Sequence, residues 1–310
     1  MQPPKASTVR LHLSMLNDRT RTGQYLTAIR ELVRPNDVVL DLGTGTGILA
    51  IAAARAGARH VYALEGGTIA ALAARIVEEN GLSQTITVIP QWSNLVTLPE
   101  RPTLLVTELI GNELLGEGLV AATVDARRRL LTPEARFIPS SLRLYCLPIN
   151  IPEQEIANFA FTQSSLMQWQ QWYDGISFHP LLEACRSYLL RSFVNPWSIR
   201  DWPRLGKPAL LYECDLSTVE TGIIDSETRL QAECAGHLSG LLMFFEAQLS
   251  PNLILSTDPA IVEAHNHWLS PLWIAADPVA VRSGDAFVVR YYYNADERVA
   301  SCELRPVLMD

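Results

Sequence analysis

Three glutamates lie close together in a stretch that is otherwise apolar or small. In VTELIGNELLGEG, residues 106–118, Glu108, Glu113 and Glu117 stand among leucine, isoleucine and glycine, with no lysine or arginine nearby in the sequence to pair with them. An unpaired buried charge is costly. We therefore expect these side chains either to reach solvent or to meet a cation that is not part of this chain.

A second candidate site is the glycine-rich segment VVLDLGTGTG, residues 38–47. Asp41 precedes Gly43 and Gly45, and Glu65 ends the next predicted strand. Glycines allow a tight turn and the close approach of a ligand, and an acid at the second strand end can accept hydrogen bonds from ribose hydroxyls. A dinucleotide site expects GxGxxG, whereas the spacing here is GxGxG. This form is similar to the S-adenosylmethionine (SAM) site of class I methyltransferases; a purely structural turn is the alternative.

Alternating strands and helices surround both segments. Strand-like runs cover 37–42, 60–65, 85–90 and 103–109, with helical patterns between them and over 119–131. This alternation predicts a parallel sheet covered by helices on both faces. Beyond Pro133 the chain changes to alternating segments separated by turn residues, which is typical of antiparallel sheets. We therefore predict an α/β Rossmann-like domain over 1–132 and an antiparallel β-barrel-like domain over 133–310.

Residues 153–202 interrupt the second domain with helical spacing and contain four of the seven tryptophans. The segment is too apolar for a solvated linker and too short for a domain. It is predicted either to bury its aromatic side chains against a partner or to pack as a helical insertion on its own domain.

The overall composition narrows the class of partner. The 310 residues are 48% hydrophobic and 19% charged, a composition that predicts a globular protein. The formal net charge is −8. The negative charge argues against a nucleic-acid partner and is compatible with a cationic substrate. No apolar run is long enough to span a bilayer, so we expect no membrane partner.

Location and metal content are predicted from local signals. The first ten residues, MQPPKASTVR, lack the apolar region of a signal peptide. The five cysteines are scattered and form no CxxC pair. We expect a reducing, cytoplasmic location, no structural zinc and no other metal site.

The acidic stretch resembles the double-glutamate loop of the protein arginine methyltransferases, in which two glutamates nine residues apart hold a guanidinium. Glu108 and Glu117 have this spacing, and TELIGNELLGEG is most similar to the monomethylating type III branch. LDLGTGTGILAIAAARAGARHVYALE resembles the cofactor motif of the same family. The resemblance implies that SAM binds through the motif residues Asp41, Gly43, Gly45, Glu65 and Gly66.

The segment MLNDRTRT, residues 15–22, resembles the N-terminal helix that closes over the cofactor in this family. The resemblance implies that Arg21 binds the carboxylate of SAM and that Met15 lines the methyl-transfer channel. The aromatic YFxxY element that precedes this helix in many members is missing, because this chain has QPPKAS there. The acid that usually contacts the adenine amino group is replaced by Asn94.

A fourth motif is NHW, residues 266–268, which resembles the Thr-His-Trp loop of the substrate pocket, with Asn266 in place of threonine. The resemblance implies that His267 pairs with Asp18 and has a catalytic role, and that Trp268 lines the pocket. The alternatives are a structural imidazole and a core tryptophan. The resemblance also implies a homodimer formed through the segment 153–202.

These residues support three hypotheses of function. The first is a SAM-dependent enzyme that methylates arginine side chains in proteins or peptides, adding one methyl group, with Glu108 and Glu117 as the guanidinium ligands. The second is a methyltransferase of free L-arginine or another small guanidino compound. The third is an inactive SAM-binding scaffold, against which the intact pair of glutamates argues. In the simplest alternative, both glutamates only stabilise the N-terminus of helix 119–131.

Overall fold

The N-terminal part of the molecule is a parallel sheet covered by helices. A computed structural model describes residues 5–159, 163–186 and 189–307. The five parallel strands, in the spatial order β3-β2-β1-β4-β5, are β1 Val38–Leu42, β2 His60–Leu64, β3 Ile86–Ile89, β4 Leu104–Thr107 and β5 Arg136–Ile138. Every residue of β1 is buried, because helices cover both faces of the sheet.

From residue 5 onward, where the structure describes this part, it contains five helices: α1 Ala6–Asn17, α2 Arg19–Leu32, α3 Ile48–Arg55, α4 Ala70–Glu79 and α5 Leu119–Arg129. A short 3-10 helix covers Ser93–Leu95. Asp18 interrupts the N-terminal helical segment, so that α1 and α2 are separate helices. The predicted alternation of strands and helices is confirmed.

The C-terminal part consists of antiparallel sheets. Its strands are β6 Ser141–Ile149, β7 Leu190–Val194, β8 Ala209–Asp215, β9 Ile223–Gln231, β10 Gly236–Ser250, β11 Leu253–Ser256, β12 Ser270–Val281, β13 Ala286–Asn294 and β14 Val299–Pro306. One sheet has the order β7-β12-β10-β6-β8, with β11 paired to β10, and the other has the order β14-β13-β9. The predicted fold class, a Rossmann-like domain followed by an antiparallel sheet domain, is confirmed.

Two predicted boundaries differ from the structure. The strand β5 lies beyond residue 132 but pairs in parallel with β4, and Arg136 forms an ion pair with Asp37 of the first domain. The sequence after Pro133 alternates like an antiparallel strand, so its parallel partner could not be recognised. The strand β7 lies within the predicted helical arm, but it is the edge strand of the larger sheet and pairs with β12.

The helices of the segment 153–202 end before β7. They are α6 Glu153–Ile156, α7 Gln163–Trp172 and α8 His179–Arg186. Residues 160–162 and 187–188 of this segment lie outside the described residues, as do residues 1–4. Leu166 and Leu182 are buried, whereas several large apolar side chains of α7 and the turn after it are exposed.

A single large apolar cluster joins the two parts. It extends from Tyr25 and the parallel strands to Trp268 and Tyr291 in the antiparallel domain. The two parts therefore pack against each other through one continuous core. No helix within the described ranges is long and apolar enough to cross a membrane.

Candidate active site

The acid loop, defined here as residues 108–118, connects β4 to α5 and returns on itself. The backbone N–H of Leu114 donates to the carbonyl of Gly111 at 2.9 Å, and Leu114 has a φ of +62°. A Cβ atom on Gly111 would lie 3.3 Å from Cγ of Glu117, so the two ends of the loop are in close contact. Glu108 and Glu117 consequently line the same cavity.

Glu108 is buried and is paired with Arg21 of α2. The Nε atom of Arg21 donates to Oε2 of Glu108 at 2.8 Å, and Nη2 donates to the same oxygen. The other carboxylate oxygen accepts a hydrogen bond from the backbone N–H of Ile110 at 3.2 Å. Both groups line the cavity that also contains Gly43, so Arg21 and Glu108 lie beside the glycine-rich turn.

The expectation that the acid loop lacks partners within the chain is wrong for two of its three glutamates. Glu108 pairs with Arg21, and Glu113 pairs with Arg191 of β7 at 2.8 Å. Both arginines are distant in sequence and are brought to the loop only by the fold. Among the ion pairs of the described residues, none involves Glu117.

Glu117 is the acid of the loop that remains available to a ligand. It is exposed at the cavity that Glu108 also lines. Although the residue as a whole is exposed, partial burial of its carboxyl at the cavity raises the pKa of Glu117, and the nearby charge of Glu108 raises it further. His267, Arg21 and His12 partly offset this effect. A second positive group at this position would relieve the repulsion between the two carboxylates.

Asp18 connects α2 to the loop that contains His267. As the N-cap of α2, its Oδ1 atom accepts a hydrogen bond from the backbone N–H of Arg21 at 3.0 Å. Its Oδ2 atom accepts from the backbone N–H of His267 at 3.1 Å and lies 2.9 Å from Nδ1 of that ring. Burial opposes ionisation, but the hydrogen bonds from His267 and Arg21 outweigh it and hold the pKa of Asp18 below its ordinary value.

Trp268 connects the same loop to the acid loop. Its indole N–H donates to the carbonyl of Ile110 at 2.7 Å, and its ring lies under the guanidinium of Arg21, 5.9 Å from the centroid. The amide of Asn266 donates to the carbonyl of Trp268 at 2.6 Å. The three motifs predicted from separate parts of the sequence thus form one hydrogen-bonded unit.

The helix α1 forms a wall of the cleft. Met15 is half-buried beside Glu108, and its carbonyl accepts a hydrogen bond from Nη1 of Arg21 at 3.4 Å. His12, one turn earlier, was not predicted to line this cleft. Its ring lies 3.0 Å from where a Cβ atom on Gly45 would be, so a side chain at that position would crowd the imidazole. The one-turn spacing of His12 and Met15 was the signal in the sequence that could have indicated this role.

The glycine-rich turn and Glu65 form the floor of the cleft. Gly43 and Gly45 have φ values of +80° and +56°, a region that favours glycine. The carboxylate of Glu65 accepts hydrogen bonds from the backbone N–H of Gly45 at 3.0 Å and of Gly67 at 2.7 Å. Each of its oxygens retains a second acceptor site for a ligand hydroxyl.

Asp41 has a buried oxygen without a partner. Its Oδ2 atom accepts hydrogen bonds from Thr44 and from the backbone N–H of Ala50, whereas its Oδ1 atom has no hydrogen-bond partner among the described residues. Burial, together with the charge of Glu65, raises the pKa of Asp41 to about 7. An orphaned carboxylate oxygen suits a ligand that carries an ammonium group, as SAM does.

The far end of the cleft has an aromatic rim. Trp92 is 65% exposed and lies against Gly66, where a side chain would collide with the indole ring. Asn94 and Leu95 line the same cleft of about 610 Å³, which is large enough for a nucleoside. Trp92 was not predicted, because an exposed tryptophan after a strand has no recognisable spacing. Within the described ranges, no group of three or more potential ligands could hold a metal ion.

Sequence comparisons find methyltransferases. A family model described as ribosomal protein L11 methyltransferase (PrmA) matches residues 19–172. The chain is 30% identical over 300 residues to the arginine N(omega)-methyltransferase of Streptomyces achromogenes subsp. streptozoticus, covering 93% of this chain and 77% of that protein. It is also 30% identical over 295 residues to mouse protein arginine N-methyltransferase 2, covering 90% of this chain but 62% of the relative, less than two thirds.

Solved structures with the same fold include two arginine methyltransferases. The Trypanosoma brucei PRMT1 enzyme–prozyme heterotetrameric complex with AdoHcy matches with a TM-score of 0.77 and 24% identity, covering 96% of this chain and 98% of the other. Arabidopsis thaliana protein arginine methyltransferase 10, in an open conformation, matches with a TM-score of 0.74 and 24% identity, covering 96% and 97%. At this level of identity the two structures support the fold.

Proposed function

Because the chain belongs to the arginine N-methyltransferase family, we propose that it transfers a methyl group from SAM to a guanidino nitrogen of arginine. The observation that carries this proposal is the charge of the cleft. One arginine, Arg21, and three glutamates, Glu65, Glu108 and Glu117, line a single cavity. If all four are ionised, they leave two negative charges, an excess that favours the binding of cations such as a guanidinium.

The residues of the cleft fit SAM, which when bound supplies an electrophilic methyl group on a sulfonium. The unpartnered oxygen of Asp41 would accept from its ammonium group. Glu65 would accept from the ribose hydroxyls, and Asn94 at the rim would contact the adenine. Arg21 would bind the carboxylate while its Nε atom remains on Glu108.

Glu108 and Glu117 would orient the guanidinium. A guanidinium has a pKa above about 12, so it enters the site charged and is a poor nucleophile. Two carboxylates can hold it through paired hydrogen bonds and direct the remaining nitrogen towards the methyl group. Holding the reactants in this alignment supplies much of the rate in a displacement reaction.

Proton removal completes the chemistry expected of the acid loop. The methylated nitrogen must lose one proton for each methyl group gained. Burial and the charge of Glu108 raise the pKa of Glu117, so its carboxylate is a better proton acceptor than an ordinary glutamate. His267 would contribute to the reaction indirectly. Its ring holds the carboxylate of Asp18, and that carboxylate in turn orients Arg21 in the first turn of α2.

Two details of the reaction are part of the proposal. The likeness of the acid loop to the type III branch supports the addition of one methyl group. The substrate is an arginine in a protein or peptide, as the names of most relatives say of those proteins. Free L-arginine is the second candidate, because the Streptomyces relative is named for arginine and not for protein arginine.

We also propose a cytoplasmic homodimer formed through α7 and α8. The support for the dimer is the group of exposed apolar side chains on this segment. The support for the location is the absence of any disulfide among the five cysteines, all of which are described.

The test is incubation with labelled SAM and a panel of arginine peptides, free L-arginine and other guanidines, with products identified by mass. A product that gains the mass of one methyl group on the guanidino group supports the proposal, and the preferred acceptor separates the two candidates. Bound SAM without transfer to any guanidine would support the scaffold hypothesis instead.

A further inference from the structure

Glu113 lies midway between the two proposed guanidinium ligands and is held on both sides. Arg191 of β7 donates from Nη1 to one carboxylate oxygen at 2.8 Å, and the hydroxyl of Tyr291 donates to the other at 3.0 Å. The strands β7 and β13 belong to the two different antiparallel sheets. A single carboxylate of the acid loop thus joins the loop to both sheets of the C-terminal part.

The partners of Glu113 are themselves fixed. Arg191 lies opposite Trp273 in the register of β7 and β12, and its guanidinium lies 5.8 Å from the centroid of that ring. Tyr291 is fully buried. Burial raises the pKa of Glu113, while Arg191 and the hydroxyl of Tyr291 partly offset this rise. Without Arg191, the charge of the Glu113 carboxylate would be uncompensated, and the carboxylate would be held less firmly in this position.

Glu117 depends on the loop for its position. It has no ion pair among the described residues, in contrast to Glu108, which Arg21 fixes directly. Its side chain lies against Gly111, and Gly116 lies against the hydroxyl of Tyr293, the next side chain on the same face of β13 as Tyr291. A shift of the loop at Glu113 would therefore move Glu117.

We propose that Glu113 is a positioning residue, whose contacts with Arg191 and Tyr291 set the placement of Glu117 for the guanidinium. This inference rests on the proposed function. The loop carries three acids with separate duties: Glu108 and Glu117 contact the substrate, and Glu113 anchors the backbone between them. Nothing in the spacing of the three glutamates distinguishes these duties; the cavity does, since Glu108 and Glu117 line it and Glu113 does not.

The test compares Glu113→Gln, Arg191→Met and the double variant with the wild type. Glu113→Gln keeps the shape and removes the charge. We expect kcat/KM for the guanidino substrate to fall by about ten- to a hundredfold in each single variant, as a small displacement of a substrate ligand can cause. The double variant should be no worse than the worse single variant, because both disrupt one contact. Arg191→Lys should recover part of the loss.

The dissociation constant of SAM separates positioning from general damage. It should be unchanged in all variants, because none of these residues lines the cavity of Gly43 and Glu65. The control is Arg290→Gln, which removes an exposed ion pair with Asp225 from β13 without touching the acid loop, and its kcat/KM should equal that of the wild type. Wild-type kcat/KM in Glu113→Gln, additive losses in the double variant, or a parallel loss of SAM binding would overturn the inference.

Hydrogen exchange tests the anchor separately from the chemistry. Arg191→Met should accelerate exchange of backbone amides within 109–118, and Arg290→Gln should not. If the wild type methylates no guanidine, the proposed function fails, and faster exchange in Arg191→Met would still establish the anchor. If the wild type is active but exchange within 109–118 is unchanged in Arg191→Met, the anchor is wrong and the proposed function stands.

Discussion

At the residue scale, Arg21 connects the cofactor side of the cleft to the substrate side. Its Nε and Nη2 atoms bind Glu108, and its Nη1 atom has long contacts with the carbonyl of Met15 and the hydroxyl of Thr22. Its guanidinium lies over Trp268. The pair is buried, with side-chain exposures of 7% and 4%. A buried ion pair adds little net stability, but removal of one partner leaves an uncompensated charge.

Arg21→Ala should therefore unfold more easily as well as bind SAM more weakly. We expect a loss of about 3–5 kcal/mol in the free energy of unfolding, measured by denaturant titration without ligand. The double variant Arg21→Ala/Glu108→Gln should recover part of this loss, because the orphaned carboxylate is gone. Equal stability of Arg21→Ala and the wild type would contradict a buried pair.

Asp41 should make SAM binding depend on pH. Burial raises the pKa of Asp41 to about 7, so its carboxyl is protonated below that pH in the ligand-free protein. The ordinary pKa of an aspartate is 3.8, and the ligand-free fold therefore loses stability as the pH rises from 3.8 towards 7. An ammonium ligand requires the ionised form. The affinity for SAM should rise from about pH 6 to about pH 7.5, before the ligand amine itself loses its proton.

Calorimetric titration across this range measures the effect, with Asp41→Asn as the control. The asparagine variant should bind SAM more weakly at every pH and should lack the rise below neutrality. A wild-type dissociation constant that is flat over the range would show that Asp41 is not the group that meets the ammonium.

At the element scale, the first turn of α2 organises the site. Asp18 caps the helix, fixes His267 and orients Arg21 through its backbone. The sequence indicated this cluster only through its resemblance to a family, since Asp18 and His267 are 249 residues apart. The glycine-rich turn and Glu65 were recognisable from local spacing, because a strand, a turn and a helix are adjacent in the chain.

The pairs Arg21–Glu108 and Arg191–Glu113 could not be predicted in the same way. Their members are separated by 87 and 78 residues, and the acid loop looks unpaired when only its neighbours in sequence are considered. Burial of a charge predicts that a partner exists, but tertiary contacts alone decide which one. For the same reason the parallel pairing of β5 with β4 could not be predicted, because the alternating pattern of β5 does not indicate which strand it contacts.

The variants Asp18→Asn and Asp18→Ala separate the two roles of Asp18, which caps the N-terminus of α2 and holds the ring of His267. Asparagine can still cap α2, whereas alanine costs about 1 kcal/mol in capping alone. Both variants lose the charged contact with His267. The pKa of Asp18 is lowered by folding, so its contribution is present above the unfolded value and is lost as pH falls through the folded value.

The melting temperature should therefore follow the order wild type, Asp18→Asn, Asp18→Ala at neutral pH. The difference in melting temperature between the wild type and Asp18→Asn should become smaller as pH falls below about 4, because the wild-type carboxyl then takes up a proton. A gap that stays constant over this range would contradict a role for the charge.

At the scale of the whole molecule, the segment α7–α8 carries several large apolar side chains that the single chain leaves exposed. Met167 is 64% exposed, Trp172 is 60% exposed and Ile176 is also exposed. A cluster of this kind on a protein with net negative charge is a candidate for association through apolar contacts. The cleft itself is lined by residues of the N-terminal part, whereas His267 and Trp268 of the antiparallel part support it through hydrogen bonds to Asp18 and to the carbonyl of Ile110.

Replacing Trp172 and Ile176 with serine should shift the protein towards the monomer in sedimentation velocity, since it removes apolar area from the proposed interface. The matched control replaces Ile223 with serine, another exposed apolar residue far from α7 in sequence. A wild-type protein that is monomeric at all accessible concentrations, or a double variant that associates like the wild type, would contradict the proposed dimer.

The most direct test of the guanidinium-binding account is methyl transfer by Glu117→Gln under saturating labelled SAM. This residue is chosen over Glu108 because Glu117 has no ion pair among the described residues, so its replacement leaves Arg21 paired. We expect the variant to bind SAM like the wild type and to transfer no measurable methyl group to the guanidine that the wild type uses. Transfer at the wild-type rate would contradict the account.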